Sequence, residues 1–553
     1  MSQGLTDKRV GWLVGISIFL VTVVVTPNWT IDPINLPKLL VLSSISFSLF
    51  TLLLLKAKKI FSKESLPLTL TAFALPVSMA ISLFQSGSSI SQQIFGIYGR
   101  NNGFLNYFCL SVIFLAVATM SERSIKRPFL IGTIGALSLN CAYGLFQAFG
   151  KDWIDWVNSY SPVFGTLGNP DFASAFLGFG TAFAFGYLFS KDTTLIVRIC
   201  CLIYLPLSIF VIYKSKSQQG IVVLAIVLVI VIFFEIRNNL KSFVPQIIYI
   251  IGISALFIIS IAGMLQKGPL TNILYRSSVT QRGDYWHAGL EMLWNNPVTG
   301  VGLDSYGDWY RYFRDIAAAE RFNGSVVSNS AHNVFIDIAS TSGIFAILSY
   351  FILIFLALRS SWIIFRNSKK LDPFFISVFA AWIGYLAQSL ISINNIGLGI
   401  WGWVLPGLLI ANERWNSLET IDKKQKNRSR PNQDYTSLIM NAGLAIGFII
   451  GFIPFNADAN FRHAIQSGNP ENVYSAALSR PTDPSRMLYA AKIFKANNLN
   501  DKAESLLRKL LSIYPRSFES WQLLYELPTT TSNEKAAILS KLKSLDPNNK
   551  NIK

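Results

Sequence analysis

Residues 219–264 read QGIVVLAIVLVIVIFFEIRNNLKSFVPQIIYIIGISALFIISIAGM. Two apolar runs, 219–235 and 243–264, flank a short basic hinge that carries Arg237 and Lys241. A helix that crosses a bilayer needs about 20 apolar residues, and lipid offers no partner for an unpaired backbone group. Each run therefore predicts a membrane-spanning helix. The same reading extends over most of the chain. We count about thirteen such runs: 10–26, 36–55, 66–84, 104–120, 128–149, 170–189, 195–213, 219–235, 243–264, 333–358, 373–392, 397–412 and 437–455. The first follows Lys8-Arg9 and ends Val23-Val24-Val25-Thr26-Pro27, without the small residues of a cleavage site, so it reads as an uncleaved span.

Composition agrees. The 553 residues are 51% hydrophobic and 14% charged, against roughly a quarter charged in soluble domains. The net charge of +18 does not point to nucleic acid, because the basic residues sit in short loops between apolar runs. Lys8-Arg9, Lys56 to Lys59, Arg123 to Arg127, Lys191 with Arg198, Arg237 with Lys241, Arg359 to Lys370, and Lys423 to Arg430 fall at alternate ends of the spans. They share one side, and the positive-inside rule makes that side the cytoplasm. The loops 27–35, 85–103, 150–169, 213–218, 265–332 and 393–396 are then outside, with the tail from 456.

That tail, 456–553, is polar and reads helical. Arg480-Pro481-Thr482-Asp483-Pro484, Ile513-Tyr514-Pro515 and Leu545-Asp546-Pro547 recur at just over thirty residues, a little short of the ~34 of tetratricopeptide repeats. The expected architecture is all-α: a polytopic membrane domain over 1–455, with a large outer loop near 265–332 and a cytoplasmic basic linker at 413–436. A soluble, tetratricopeptide-like helical domain follows over 456–553.

Four cysteines inside apolar segments, with no CxxC pair, and three histidines leave little for zinc. A Walker loop, HExxH and Gly-x-Ser-x-Gly are absent, and Gly300-Val301-Gly302 has no strand–helix context. No metal or cofactor is expected. The longest polar interruption runs from Gln281-Arg282-Gly283-Asp284-Tyr285-Trp286-His287 through Asn296-Pro297-Val298-Thr299-Gly300-Val301-Gly302 to Ser330-Ala331-His332-Asn333. Basic residues on the outer side run against the topological bias and invite a functional reason. Arginine grips phosphate oxygens through a planar fork, and histidine takes a proton near neutrality. Together they suit a pyrophosphate-bearing lipid and an acceptor hydroxyl.

Arg282-x-x-x-Trp286, the Asn296–Gly302 segment, and His332-Asn333 with Ser342-Gly343-Ile344 behind it resemble the O-antigen ligase and O-antigen polymerase superfamily. Phe95 to Gly103 resembles the family's early outer-loop motif, and Gly165 to Ala173 its Gly-Asn-Pro-Asn segment, with Asp171 where a second Asn is usual. The resemblance covers roughly residues 10–412. It implies transfer of a glycan from an undecaprenyl-diphosphate carrier to a glycan, lipid or protein acceptor, outside the cytoplasmic (inner) membrane of a bacterium. His332 takes the family histidine's part in assisting the acceptor or the leaving pyrophosphate. Arg282 and Arg100 take diphosphate or sugar roles. Many members carry Ser-Arg at the outer end of a middle span. This chain has Lys214-Ser215-Lys216-Ser217-Gln218-Gln219, so Lys216, Lys214 or Gln219 stands in the arginine's place. Arg314 and Asn333 complete the candidate substrate-binding set.

Bland readings stand beside these. His332 caps a helix or sits at the interface, Arg282 is an interfacial anchor, and Lys216, Arg276, Arg311 and Arg314 are loop charges. Polymerase, ligase and protein O-oligosaccharyltransferase share the motifs. A flippase for the lipid-linked sugar would need charges along mid-span, which are scarce. A non-catalytic scaffold would place function in the tail, where a partner protein is expected to bind.

Overall fold

The computed structural model describes residues 3–552 except 86–87, 121–122, 157–162, 241, 276, 325 and 419–434. Lys241, Arg276 and the basic stretch Lys423 to Arg430 lie outside the described residues. Among those described, the regular structure is helical throughout. The principal helices are α1 Gln3–Val23, α2 Asn35–Leu55, α3 Leu66–Gln85, α4 Phe104–Ala118, α5 Lys126–Ala148, α6 Pro170–Phe189, α7 Leu195–Lys214, α8 Gln218–Asn239 and α9 Val244–Met264. Then come α10 Ser277–Asn295, α11 Tyr306–Phe313, α12 Val334–Asn367, α13 Pro373–Ser389, α14 Ile396–Leu418 and α15 Thr436–Ser467. The tail adds α16 Pro470–Ala477, α17 Pro484–Ala496, α18 Asn500–Ile513, α19 Phe518–Glu526 and α20 Ser532–Leu545.

Among the described residues ten helices are long and apolar enough to cross a membrane, and α4 and α13 are shorter apolar helices. With α1, they coincide with the apolar runs read from the sequence. The protein is an all-α, polytopic membrane protein.

The bundle is organised around α14, 94% of whose span window is buried, whereas α9 is 6% buried and stands at the periphery. Trp401 on α14 is fully enclosed. Its ring meets Phe176 at 5.4 Å and Phe179 at 5.9 Å, and its indole N–H donates to Thr22 Oγ1 at 3.0 Å. A buried indole needs that partner, because an unmet donor in hydrocarbon is costly. The α2–α15 pair packs closest. Gly443, Gly447 and Gly451 face α2, and a Cβ on Gly447 would stand 2.3 Å from the Ser43 carbonyl oxygen. Small residues four apart let two backbones touch, which is how helices associate without a hydrophobic drive.

Two departures bear on the site. α15 does not stop at residue 455 but continues to Ser467, so Phe461 belongs to the tail's core with Met487, Phe494 and Leu507. α12 is broken near its N-terminal end. Gly343 takes φ +80°, and the Asn296–Gly302 turn fills the break. Val301 N donates to Ser340 O at 2.9 Å, Gly302 N to Thr341 O at 3.1 Å, and Ile344 N to Pro297 O at 2.8 Å. The turn thus supplies donors to helix carbonyls released by the kink. A Cβ at Gly343 would lie 2.1 Å from the Val298 oxygen, so no larger residue fits there.

Candidate functional site

The segment before α12 is fixed from three directions. Asn333 is the N-cap, its Oδ1 accepting from Phe335 N at 3.0 Å and Ile336 N at 3.2 Å. That spends the amide oxygen of a residue expected to bind substrate. One turn on, Asp337 reaches back: its Oδ1 accepts from Ser330 Oγ and from Ala331 N, both at 3.1 Å. Its Oδ2 accepts from Arg100 Nη2 at 3.1 Å. Arg100 also donates to the Asn329 carbonyl and lies 3.6 Å from Asp304 Oδ1. Asp304 Oδ2 in turn accepts from Ile97 N at 2.8 Å and Asn102 N at 3.2 Å. Arg100 is 5% exposed and ties the early outer loop, the 296–305 turn and the His332 segment together. The resemblance gives Arg100 a diphosphate or sugar role; here its guanidinium is engaged by Asp337 and the Asn329 carbonyl.

Held this way, His332 adopts φ +49°, a region that costs a non-glycine residue ~1–3 kcal/mol and clusters at functional sites. Its ring lies over Tyr285, with centroids 5.3 Å apart and planes at 30°. Tyr285 packs on Tyr310 of α11 at 5.6 Å, and Tyr306 Oη donates to the Tyr285 carbonyl at 2.6 Å. Burial, and then the positive charges of Arg282 and Arg100, pull the His332 imidazole down from 6.5 to about 4. It is neutral at pH 7.

Arg282, on α10, is half-buried, and burial lowers its pKa against the pull of the Asp171 carboxylate. Among the described residues its guanidinium makes no hydrogen bond or ion pair. A partly desolvated cation without a partner is a ready anion site. Asp171, in the first turn of α6, accepts from Ser217 Oγ at 2.5 Å. Ser217 caps α8 by accepting from Gln219 N at 3.2 Å. Lys214 and Lys216 stand exposed beside it, lining a cavity of about 370 Å³ with Tyr213, Ser217 and Gln218. Lys214 lies 5.5 Å from the Phe210 ring centre, and Lys216 takes φ +60°. Both amide atoms of buried Gln219 lack a hydrogen-bond partner among the described residues.

Arg314, expected to bind substrate, is engaged by the tail. It is 1% exposed, and its Nε and Nη2 donate to Asp546 Oδ1 and Oδ2 at 3.2 and 2.7 Å. Its Nη1 donates to the carbonyls of Gly324 and Val326 at 3.3 and 3.1 Å. Arg311 joins the same carboxylate at 3.3 Å, and Arg516 stacks 3.4 Å from the Trp309 ring centre. The tail is clamped to α11, which supports Tyr285 beneath His332.

Sequence reasoning passed over Asp337, Ser217 and Tyr285, and saw Asp171 only as a departure from a motif. Asp337 had a signal: a carboxylate in the first turn of an apolar run asks for a partner. Asp171 and Ser217 had none, since their meeting across 46 residues is tertiary.

Residues 203–351 match the family model for the O-antigen ligase. The matched segment runs from α7 through Arg282 and His332 into α12. It contains Lys214, Lys216, Arg314 and Asn333, and leaves Arg100 and Asp171 outside. No curated protein matches the chain. The match supports the O-antigen ligase and polymerase superfamily, and with it a membrane enzyme of surface polysaccharide biosynthesis.

Proposed function

We propose, from the O-antigen ligase match and the geometry around His332, that this protein moves a glycan from an undecaprenyl-diphosphate carrier to an acceptor hydroxyl. The reaction takes place on the extracytoplasmic face of the bacterial cytoplasmic membrane. One observation carries the reading: a half-buried guanidinium without an ion pair, Arg282, beside a histidine held neutral, His332. The loop charges support the topology, because the basic loops fall at one end of the spans and this site at the other.

The acceptor oxygen attacks the anomeric carbon as the bond from that carbon to the diphosphate oxygen breaks. The bonding electron pair departs with the diphosphate, where Arg282 meets the developing charge through its fork. The acceptor's proton passes to the His332 imidazole and then to solvent. Arg100 acts by position, holding the His332 segment through Asp337. Lys214 and Lys216 form a cationic lip for the diphosphate or its first sugar. Asp171 balances Arg282 while the donor is absent.

This arrangement makes the base depend on the substrate. Burial, and after it two cations, hold the His332 pKa down in the free enzyme, and a bound diphosphate offsets the cations' share. The sign follows: the active, neutral imidazole exists above its pKa and is lost as pH falls. The acid limb of kcat/KM, which reports the free enzyme, is expected near pH 4, and the limb of kcat at higher pH. A kcat/KM limb at or above 6.5 would contradict the geometry.

Deleting the gene tests the reading in the cell and separates its variants. Single-unit surface glycans identify a polymerase, and long chains stranded on the lipid carrier identify a ligase. Loss of glycan from a protein alone identifies an O-oligosaccharyltransferase. Unchanged glycans in all three fractions would exclude the function.

A further inference from the structure

A second cavity, of about 350 Å³, lies between the tail and the early outer loop. Its wall includes Tyr98, Asp458, Tyr489, Lys492 and Glu519. Three parts of the chain meet there under hydrogen-bond control. Asp458 Oδ2 accepts from Ile31 N at 2.6 Å and Asp32 N at 3.0 Å. Tyr98 N donates to Asp483 Oδ2 at 3.2 Å, and Ser91 Oγ to Thr482 O at 2.9 Å. The backbone behind the cavity is therefore fixed by hydrogen bonds, and Tyr489, Lys492 and Glu519 form its exposed side.

We infer that this cavity is a saccharide-binding subsite that holds part of the glycan away from the reacting bond. The inference rests on the transfer reading for the identity of the sugar. Its size falls within the ~300–1,000 Å³ of small-molecule sites. Tyr489 is 48% exposed and is braced by Phe461 in an edge contact at 6.2 Å, so it presents a fixed ring for the apolar C–H face of a sugar. Among the described residues the Tyr98 and Tyr489 hydroxyls have no hydrogen-bond partner and are free to donate or accept. Lys492 and Glu519, 3.3 Å apart, offer a donor and an acceptor to vicinal hydroxyls.

The charge balance favours sugar over the alternatives. Arg486 also lines the cavity, but its guanidinium donates to the Ser479 and Pro481 carbonyls and its charge is matched by Asp483 and Asp458, while Lys492 pairs with Glu519, so a free phosphate would meet no uncompensated cation. An acyl chain would have to desolvate those same ions. Tyr98 lies two residues before Arg100, the strut behind His332, which puts the cavity and the site on the two ends of one short loop.

The test is a binding measurement on the full-length protein in lipid nanodiscs. The probe is the repeat-unit oligosaccharide released by mild acid from the host's own surface polysaccharide. Wild type is expected to bind it saturably. Tyr489→Ala and Lys492→Ala, both at exposed positions, should each weaken binding about tenfold or more. No binding by wild type, or binding unchanged in both variants, would overturn the subsite. The assay needs no turnover, so its result stands apart from the deletion phenotype that decides the transfer reading.

Discussion

Replacing His332 with Ala is expected to abolish glycan transfer, a loss of at least about a hundredfold if the residue moves the proton as proposed, while the protein stays at its normal level in the membrane. Stability is spared because the ring makes one aromatic contact and the segment is held by its neighbours. Ser330, Ala331 and Asn333 make the hydrogen bonds to α12 and Asp337. The backbone conformation at φ +49° is a complication for Ala, so His332→Asn serves as the second variant. Asparagine tolerates that region but has no basic nitrogen. Both variants should be inactive, and a fully active His332→Asn would remove the histidine from the mechanism. Arg282→Lys refines the picture at the other end of the reaction. Lysine keeps the charge and loses the planar fork, so transfer should fall about ten- to a hundredfold, with a deeper loss in Arg282→Ala. Equal activity of Lys and Arg would mean that charge alone suffices there.

The second large effect lies far from the chemistry in sequence. Asp546→Ala should destabilise the protein by about 3–5 kcal/mol, because it leaves the fully buried Arg314 guanidinium without its counter-ion. Arg311 loses the same partner. α11 then loses its anchor on the tail, and Tyr306 and Tyr310 no longer prop Tyr285 against the His332 ring. Transfer should fail although every reacting group is intact. Asp546→Asn keeps the shape and part of the hydrogen bonding, so it should restore folding before it restores full stability. Lys550–Glu320 bridges the same two parts of the protein but is exposed, at 75% and 53%, and its loss should go unnoticed. Thermal unfolding and glycan transfer measured on the three variants decide the matter. Asp546→Ala that unfolds and transfers like wild type would show that the tail does not position the site.

Much of the fold was legible because membrane helices are specified locally. A run of apolar residues in lipid must close its own hydrogen bonds, so composition within about twenty residues decides each helix. Caps are local too, since Asn333 and Asp483 accept from amides two or three residues away, although the sequence reading offers His332, not Asn333, as the cap. The Asn296–Gly302 segment was legible as a turn, but not as the plug in a broken helix, since the break at Gly343 lies some forty residues on in the chain.

The basic outer residues mark the boundary of what sequence decides. Arg100, Arg282 and Arg314 look alike as residues, each an arginine in an outer loop. Their fates differ because a guanidinium's role is set by whether a carboxylate stands within a few ångströms, and Coulomb attraction ignores chain order. Arg314 finds Asp546 232 residues away, Arg100 finds Asp337 237 residues away, and Arg282 finds no hydrogen-bonding partner among the described residues. The sequence by itself determined that these cations lie in polar segments between the apolar helices of a membrane protein. Only the tertiary structure separates them, because ion pairing is fixed by which carboxylate stands within reach: Asp546 for Arg314, Asp337 for Arg100, and for Arg282 only the unbonded pull of Asp171.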